Sequence, residues 1–286
     1  MKIVVCIKQV PDTTEIKINP ATGTLIRDGV PSIMNPDDKG GLEMALRLKD
    51  QYGAEVTVIT MGPPQAEAIL REAFAMGADR AILLTDRAFA GADTLATSNA
   101  LAGALKCIDY DLIIGGRQAI DGDTAQVGPE MAEHLQLPQI SYVTNVEYDG
   151  KKNLTVKKET ENGYQMLSVE MPCLLTVLAT ANKARYMSVA GIMEAFDKEV
   201  EIWTADKIDV DRAKLGLSGS PTRVKKSFTK AQKGAGETFE VDAEEAVNII
   251  ISKLKEKHIR NETNHHTAHA EPHLPRLMRE VPEPHP

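Results

Sequence analysis

Between residues 115 and 128 the chain reads Gly115-Gly116-Arg117-Gln118-Ala119-Ile120-Asp121-Gly122-Asp123-Thr124-Ala125-Gln126-Val127-Gly128, directly after the apolar run Leu112-Ile113-Ile114. A buried strand that opens through glycines into a helix start offers unpaired backbone amides and the positive end of a helix dipole, a setting for phosphate. Thr124 and Gln126 add side-chain donors. The loop carries neither the G-x-G-x-x-G dinucleotide fingerprint nor the G-x-x-x-x-G-K-[ST] phosphate loop. Asp121 and Asp123 repel phosphate unless they face away, cap the helix or hold a ribose hydroxyl. A plain glycine-rich connection capped by Asp123 accounts for the same residues.

Other stretches bear on the same chemistry. Asn35-Pro36-Asp37-Asp38 lies just before the first helical pattern and, taken alone, is an N-cap cluster. Gly91-Ala92-Asp93-Thr94-Leu95-Ala96-Thr97 opens the third helix, with Thr94 and Thr97 one turn apart, as caps or within reach of a ligand's head group. His265, His269 and His273 have the i, i+4, i+8 spacing of a metal-binding helix face, but Pro272 and Pro275 interrupt it, so a solvated tail is expected. No Ser/His/Asp or Cys/His grouping and no paired carboxylates with hydrolase spacing stand out. The sequence supplies a binding site with no catalytic side chains and no metal ligands of its own.

The elements that must position these residues alternate. Lys2 to Ile7, Val56 to Thr60, Ala81 to Leu84 and Leu112 to Ile114 are expected as buried strands; Gly41 to Gln51, Gln65 to Met76, Thr94 to Lys106 and Thr124 to Leu135 as helices. Strict alternation predicts an α/β fold, a Rossmann-like doubly wound and mainly parallel sheet with helices on both faces. In such a sheet ligands bind at the carboxyl ends of strands, so the loops Gln9 to Asp38, Met61-Gly62-Pro63-Pro64 and Gly115 to Thr124 are expected to converge. Turn residues at Asn19 to Gly29 suggest a protruding hairpin. Three extended segments near Tyr142 to Tyr148, Leu154 to Glu161 and Met166 to Ala179 suggest a β-meander. After Ala181 the pattern is irregular, an arm follows around Lys225 to Gly236, and Asp242 to Lys257 forms an amphipathic helix with Asp242 as N-cap. The organisation expected is a nucleotide-binding domain over 1–225, with the meander at about 140–180, an arm and docking helix over 226–260, and an extended tail over 261–286.

The 286 residues are 42% hydrophobic and 26% charged, ordinary for a globular chain. With 33 basic against 41 acidic side chains the net charge of -8 opposes nucleic-acid binding. No apolar stretch reaches the roughly 20 residues that cross a bilayer. Cys6, Cys107 and Cys173 are too scattered for a disulfide framework or a metal cluster, so a cytoplasmic location is expected.

On these residues the chain resembles the beta subunit of electron transfer flavoproteins from Met1 to about Ile259. The matching stretches are Cys6-Ile7-Lys8-Gln9-Val10-Pro11-Asp12, Asp28-Gly29-Val30 with Asn35-Pro36, Ala75-Met76-Gly77-Ala78-Asp79-Arg80, and Gly116-Arg117-Gln118-Ala119-Ile120-Asp121. A later signature runs from Val156-Lys157-Lys158 through Glu161 and Glu170 to Pro172 and Thr176, with Asn162 a departure in a turn. The resemblance implies an adenine-nucleotide-binding α/β fold and an alpha subunit that carries its own FAD. Its nucleotide contacts would be Cys6, Asn35, Pro36, Asp37, Asp38, Met61 and every residue from Gly116 to Val127, with Val10, Asp93, Thr94 and Thr97 completing the candidate site.

In this family the beta subunit holds either AMP or, in electron-bifurcating members, FAD. The forms Asn35-Pro36-Asp37-Asp38 and Asp121-Gly122-Asp123-Thr124 are similar to the bifurcating group, and Gly122 leaves room for close approach of backbone to a pyrophosphate. The resemblance therefore implies FAD, with AMP as the alternative. It further implies hydride transfer from NADH, with electrons divided between ferredoxin and, through the alpha-subunit FAD, a flavin-containing dehydrogenase. Arg185 to Met193 resembles the loop that recognises that dehydrogenase, with Tyr186, Val189, Ile192 and Met193 as docking residues; Val189-Ala190 stands where Leu-Pro is usual. The rival classes are a nucleotide-hydrolysing enzyme, whose S-G-G-x-D-S loop is replaced here by Lys8-Gln9-Val10-Pro11-Asp12, and a nucleotide-binding signalling module.

Overall fold

Along β1 (Lys2–Cys6) successive side chains enter opposite faces of a sheet: Ile3 and Val5 join one buried cluster and Val4 another. The same division runs through β4 (Glu55–Met61), β5 (Arg80–Leu84) and β6 (Leu112–Gly116). Val58, Leu83 and Ile114 pack on the first side, and Ile59, Ile82 and Ile113 on the second. Strands that are apolar on both faces need cover on both. One layer is α1 (Pro36–Tyr52) and α2 (Glu67–Met76), which contribute Leu42, Leu46, Ile69 and Leu70. The other is α3 (Thr94–Leu105) and α4 (Val127–Leu135), through Leu101, Leu105 and Met131. Each fully buried leucine here stabilises the fold by about 1.5–3 kcal/mol.

This computed structural model describes residues 1–12, 31–222 and 236–257; the expected hairpin at Asn19 to Gly29, most of the arm and the tail from Asn261 lie outside the described residues. The remaining strands are β7 (Gln139–Tyr148), β8 (Asn153–Thr160), β9 (Gly163–Glu170), β10 (Cys173–Val177) and β11 (Val200–Trp203). The sheet order is β11-β5-β4-β1-β6-β10-β7-β8-β9. Its first seven strands are parallel, and β8 and β9 are added antiparallel. β2 (Gln9–Pro11) and β3 (Ser32–Met34) form a separate antiparallel ribbon. The chain builds outward from β1 through β4 and β5, then returns to place β6 on the other side of β1. Strand order reverses between β1 and β6, and at such a reversal a crevice opens beyond the carboxyl ends.

Four expectations need correction. The first helix begins at Pro36, so Asp37 and Asp38 belong to its first turn and do not precede it. The last α/β helix begins at Val127, three residues after Thr124, with Gln126 at the N-cap, so Asp123 caps nothing. The extended segment Met166 to Ala179 is two strands separated at Pro172: β9 closes the meander, while β10 inserts between β6 and β7. The stretch after Ala181 is ordered, with α5 (Val189–Asp197) against α2 and β11 on the edge of the sheet beside β5. Arg80 pairs with Glu201 across that edge at 2.5 and 3.0 Å, and this holds the Glu201 carboxyl down at about 2.

The chain divides into two units, Met1–Thr229 and Lys230–Pro286. In the second, α6 (Ala243–Glu256) is capped by Asp242, whose carboxylate accepts the Glu245 N–H at 2.9 Å, while Val247 and Ile250 are exposed. No helix among the described residues is long and apolar enough to cross a membrane.

Buried polar groups at the start of α1 fasten the loops of the first unit. Asp38 accepts the Lys8 N–H at 2.7 Å and the Gly116 N–H at 2.9 Å, one on each carboxylate oxygen, and so joins the ends of β1 and β6. Asp37 accepts the Ala179 N–H, just past β10, at 2.8 Å. Asn35 leaves its own helix uncapped; it donates to the Gln118 carbonyl at 2.8 Å and accepts the Ile120 N–H at 3.1 Å. The fit is close, because a Cβ on Gly116 would fall 2.6 Å from the Asp38 backbone nitrogen. Burial pushes the Asp38 carboxyl up to about 7, against the pull of its hydrogen-bond donors.

Two outcomes follow for stability. Gly116→Ala forces two backbone segments apart and lowers the unfolding free energy in urea by about 1–3 kcal/mol. The folded chain holds the Asp38 proton more tightly than the unfolded chain. That contribution is complete below the unfolded value of 3.8 and is lost as pH rises through about 7. Urea titrations of wild type and Asp38→Asn across this window test it: the wild-type advantage should shrink with rising pH, and a flat or growing difference overturns the assignment.

Candidate functional site

A cavity of about 430 Å³ opens at the strand-order reversal. Cys6, Ile7 and Lys8 enter it from the end of β1, Met61 from the end of β4, and Gly115 to Ala119 from the end of β6. Gly122 and Thr124 to Gly128 form a further wall, with Gly91 to Thr94 and Thr97 from the start of α3. Asp38 reaches it from α1, and Phe89, Leu101 and Met131 give it an apolar side. The ends of β1, β4 and β6 meet here with the head of α3; of the expected first loop, Gln9 to Asp38, only Asp38 reaches the cavity among the described residues.

Of the residues singled out in the sequence, Cys6, Asp38, Met61, Asp93, Thr94, Thr97, Gly116, Arg117, Gln118, Ala119, Gly122, Thr124, Ala125, Gln126 and Val127 line this cavity. The structure places Val10, Asn35, Pro36, Asp37, Ile120, Asp121 and Asp123 outside the wall. Val10 is a buried residue of β2, Pro36 is exposed, and Asn35 and Asp37 fasten loops from behind. Gly115 and Gly128, the ends of the glycine-rich loop, line it too, and Ile7, Lys8, Phe89, Leu101 and Met131 are lining residues that the sequence reading missed. Lys8 sits within the Cys6 to Asp12 stretch; Phe89, Leu101 and Met131 carry no local signal, because only the packing of α3 and α4 turns them toward the site.

Both acids of the loop have hydrogen-bond partners, one of them charged. Asp121 takes the Lys8 ammonium on both oxygens at 2.7 and 2.9 Å, and Asp123 accepts the Gln118 side-chain amide. Arg117 lies 3.4 Å from Asp37 and over the Tyr142 ring at 5.9 Å. Burial, with the nearby Asp38 charge, pushes the Cys6 thiol up to about 12, so it stays protonated and poorly nucleophilic at neutral pH.

The glycines act differently from one another. Gly116 and Arg117 spend their amides inside the protein, on Asp38 and on the Val177 carbonyl at 2.9 Å. The free donors stand further along: among the described residues the backbone N–H groups of Thr124, Ala125 and Gln126 have no hydrogen-bond partner. Asp123 and Ala125 each adopt φ 53°, while Gln126 returns to φ -101° and ψ -37°. Alternating hands turn successive N–H groups toward one point, an anion-binding arrangement. A Cβ on Gly122 would meet nothing within 4 Å, so the protein itself does not require glycine there.

The expected docking residues lie elsewhere, with Tyr186, Val189 and Met193 strongly exposed and Ile192 partly so. Phe196, also exposed, extends the patch and was missed. Their backbone is firmly held. Ser188 caps α5 by accepting the Gly191 N–H at 2.9 Å, and Arg71 donates to the Ala195 carbonyl at 2.7 Å. Arg185 donates to Glu43 at 2.9 and 3.0 Å and to Asp50 at 2.8 Å.

The electron transfer flavoprotein domain matches residues 22–208 of this chain. The electron transfer flavoprotein subunit beta of Clostridium acetobutylicum is 62% identical over 258 residues, 90% of this chain and 99% of that one. The caffeyl-CoA reductase-Etf complex subunit CarD of Acetobacterium woodii is 52% identical over 262 residues, 91% and 100% of the two chains. The acryloyl-CoA reductase electron transfer subunit gamma of Anaerotignum propionicum is 45% identical over 268 residues, again 91% and 100%. With likeness of this extent added to the parallel sheet and its converging loops, the chain belongs to the electron transfer flavoprotein family, as a beta subunit.

Proposed function

We propose that this beta subunit holds FAD in the cavity between β1 and β6, pairs with an alpha subunit carrying a second FAD, and acts in electron bifurcation. Gly122 carries the reading: a side chain there would fit the protein, so a bound ligand is what would exclude it. The unpaired amides of Thr124 to Gln126 would receive the pyrophosphate. Phe89, Leu101, Met61 and Met131 supply an apolar surface for a ring. A volume of about 430 Å³ lies within the ordinary range for ligand pockets.

When bound, the flavin would supply the redox chemistry, taking up a hydride from NADH, with release of its electrons singly toward ferredoxin and toward the alpha-subunit FAD and a flavin-containing dehydrogenase. The protein's part is to bind, orient and tune. Cys6 stays a neutral thiol beside the site, and the acids at the loop are paired, so an anionic ligand meets no bare carboxylate from Asp121 or Asp123. The reductase subunits among the relatives support a dehydrogenase partner, and the exposed Tyr186, Val189, Ile192, Met193 and Phe196 would meet it.

Three outcomes are expected. The purified heterodimer carries two flavins by absorbance and extraction; one FAD with one AMP replaces this reading by the non-bifurcating one. Gly122→Asp folds normally yet loses at least about tenfold in affinity for FAD at this site, since a carboxylate is set against the pyrophosphate; unchanged flavin content removes the argument from close approach. The double substitution Met193→Lys and Phe196→Lys slows electron delivery to the dehydrogenase while flavin content stays at the wild-type value, and unaltered delivery removes α5 from that interface.

A further inference from the structure

Five residues of the cavity wall, Phe89, Gly91, Ala92, Asp93 and Thr94, come from one stretch that links a single turn at Arg87–Phe89 to the start of α3. That stretch is fastened by a segment distant in the chain, Leu215 to Thr222, which does not line the cavity. The Ala90 carbonyl accepts the Leu217 N–H at 3.0 Å, and the Asp93 N–H donates to the Ser220 hydroxyl oxygen at 2.8 Å. One carboxylate oxygen of Asp93 accepts both the Thr222 N–H at 3.0 Å and the Thr222 hydroxyl at 2.7 Å. The other accepts the Ala96 N–H at 3.0 Å and so caps α3. Ser220 is buried and gives its own proton to the Gly216 carbonyl at 2.8 Å, which leaves its lone pairs for Asp93. Gly216 adopts φ 54° and lies so near that a Cβ there would collide with the Ala88 carbonyl oxygen, and Leu215 is buried in the same cluster as Phe89.

Asp93 thus belongs to the cavity wall, yet its amide and both carboxylate oxygens are spent on the protein. Burial opposes its charge, but the donors from Ala96, Thr222 and Ser220 outweigh that and hold the carboxyl below its usual range, so the bonds from Thr222 run to a carboxylate. We propose that Ser220 and Thr222 are positioning residues which, through Asp93, fix where the head of α3 stands against the ligand. A ligand that touches this wall binds best when the wall is held in place. By reciprocity, the ligand then holds the 215–222 segment, and the two are thermodynamically linked. The proposal rests on the reading that a nucleotide occupies the cavity.

Two measurements on the heterodimer, stripped of ligand at the beta site and with its alpha-site flavin monitored by absorbance, test the linkage. In calorimetry FAD and AMP serve as probes, and the one that the wild-type site takes is read in the variants. Thr222→Val keeps the shape and the N–H but loses the hydroxyl, and should weaken that nucleotide about three- to tenfold. Thr222→Ser restores the hydroxyl and should bind within about twofold of wild type. Ser220→Ala, which deprives the Asp93 N–H of its acceptor, should weaken binding at least as much as Thr222→Val. In hydrogen exchange read by mass spectrometry over 215–222, the bound nucleotide should slow exchange in wild type by about threefold or more, and by less in Thr222→Val. Affinity unchanged in Thr222→Val, even with a lowered melting temperature, marks a merely structural role and overturns the proposal. Exchange over 215–222 that ignores the nucleotide overturns it as well. If the wild-type site takes neither FAD nor AMP, the nucleotide reading and the linkage fall together; binding that is indifferent to both substitutions removes the linkage alone.

Discussion

A single buried carboxylate, Asp38, decides where the ends of β1 and β6 stand relative to each other. Each of its oxygens accepts a backbone amide, and a typical hydrogen bond of this kind contributes about 0.5–1.5 kcal/mol. Neither loop can drift without breaking one of these bonds. Asn35 and Asp37 extend the constraint to the middle of the 116–127 loop and to the end of β10. The first turn of α1 thus acts as a fastener for the strand ends around the cavity, and Gly116 is glycine because that fastener sits against it.

The same arrangement explains how an acidic protein can present a cavity to an anion. The net charge is -8, and Asp38, Asp121 and Asp123 all lie near the site. Each is occupied: Asp38 by two amides, Asp121 by Lys8, Asp123 by the Gln118 amide. Pairing turns potential repulsion into loop geometry. The strain of two non-glycine residues at φ 53°, about 1–2 kcal/mol each, is the counterpart, and it is concentrated where the free amides point.

Much of this was legible in the chain. Alternation of apolar runs with helical periods gave the parallel sheet, and the position of the loops relative to the strands gave their meeting point. What stayed hidden depends on tertiary packing. Phe89, Leu101 and Met131 look like any core residues until α3 and α4 settle on the sheet. Ala125 gives no sign of a left-handed backbone, since glycine and asparagine are the usual markers of one. The glycine-rich turn is expected to offer amides near a helix start, but the sequence does not say which: those of Gly116 and Arg117 are consumed internally, and the donors left over follow Asp123. α5 and β11 were missed because a nine-residue helix and a four-residue strand carry too few periods to stand out.

The insertion of β10 between β6 and β7 bears on the order of assembly during synthesis. β6 pairs with β1, but its second edge must wait until residues 173–177 have emerged, and the Arg117 amide waits for the Val177 carbonyl. In the interval β7, β8 and β9 can close on one another through local hairpins, leaving a gap of one strand beside β6. An open parallel edge is a template for wrong pairing. The nascent cavity therefore lacks one of its supporting strands until the last central strand is made, and the segment most exposed to mispairing in that interval is the apolar run Leu112 to Ile114 itself.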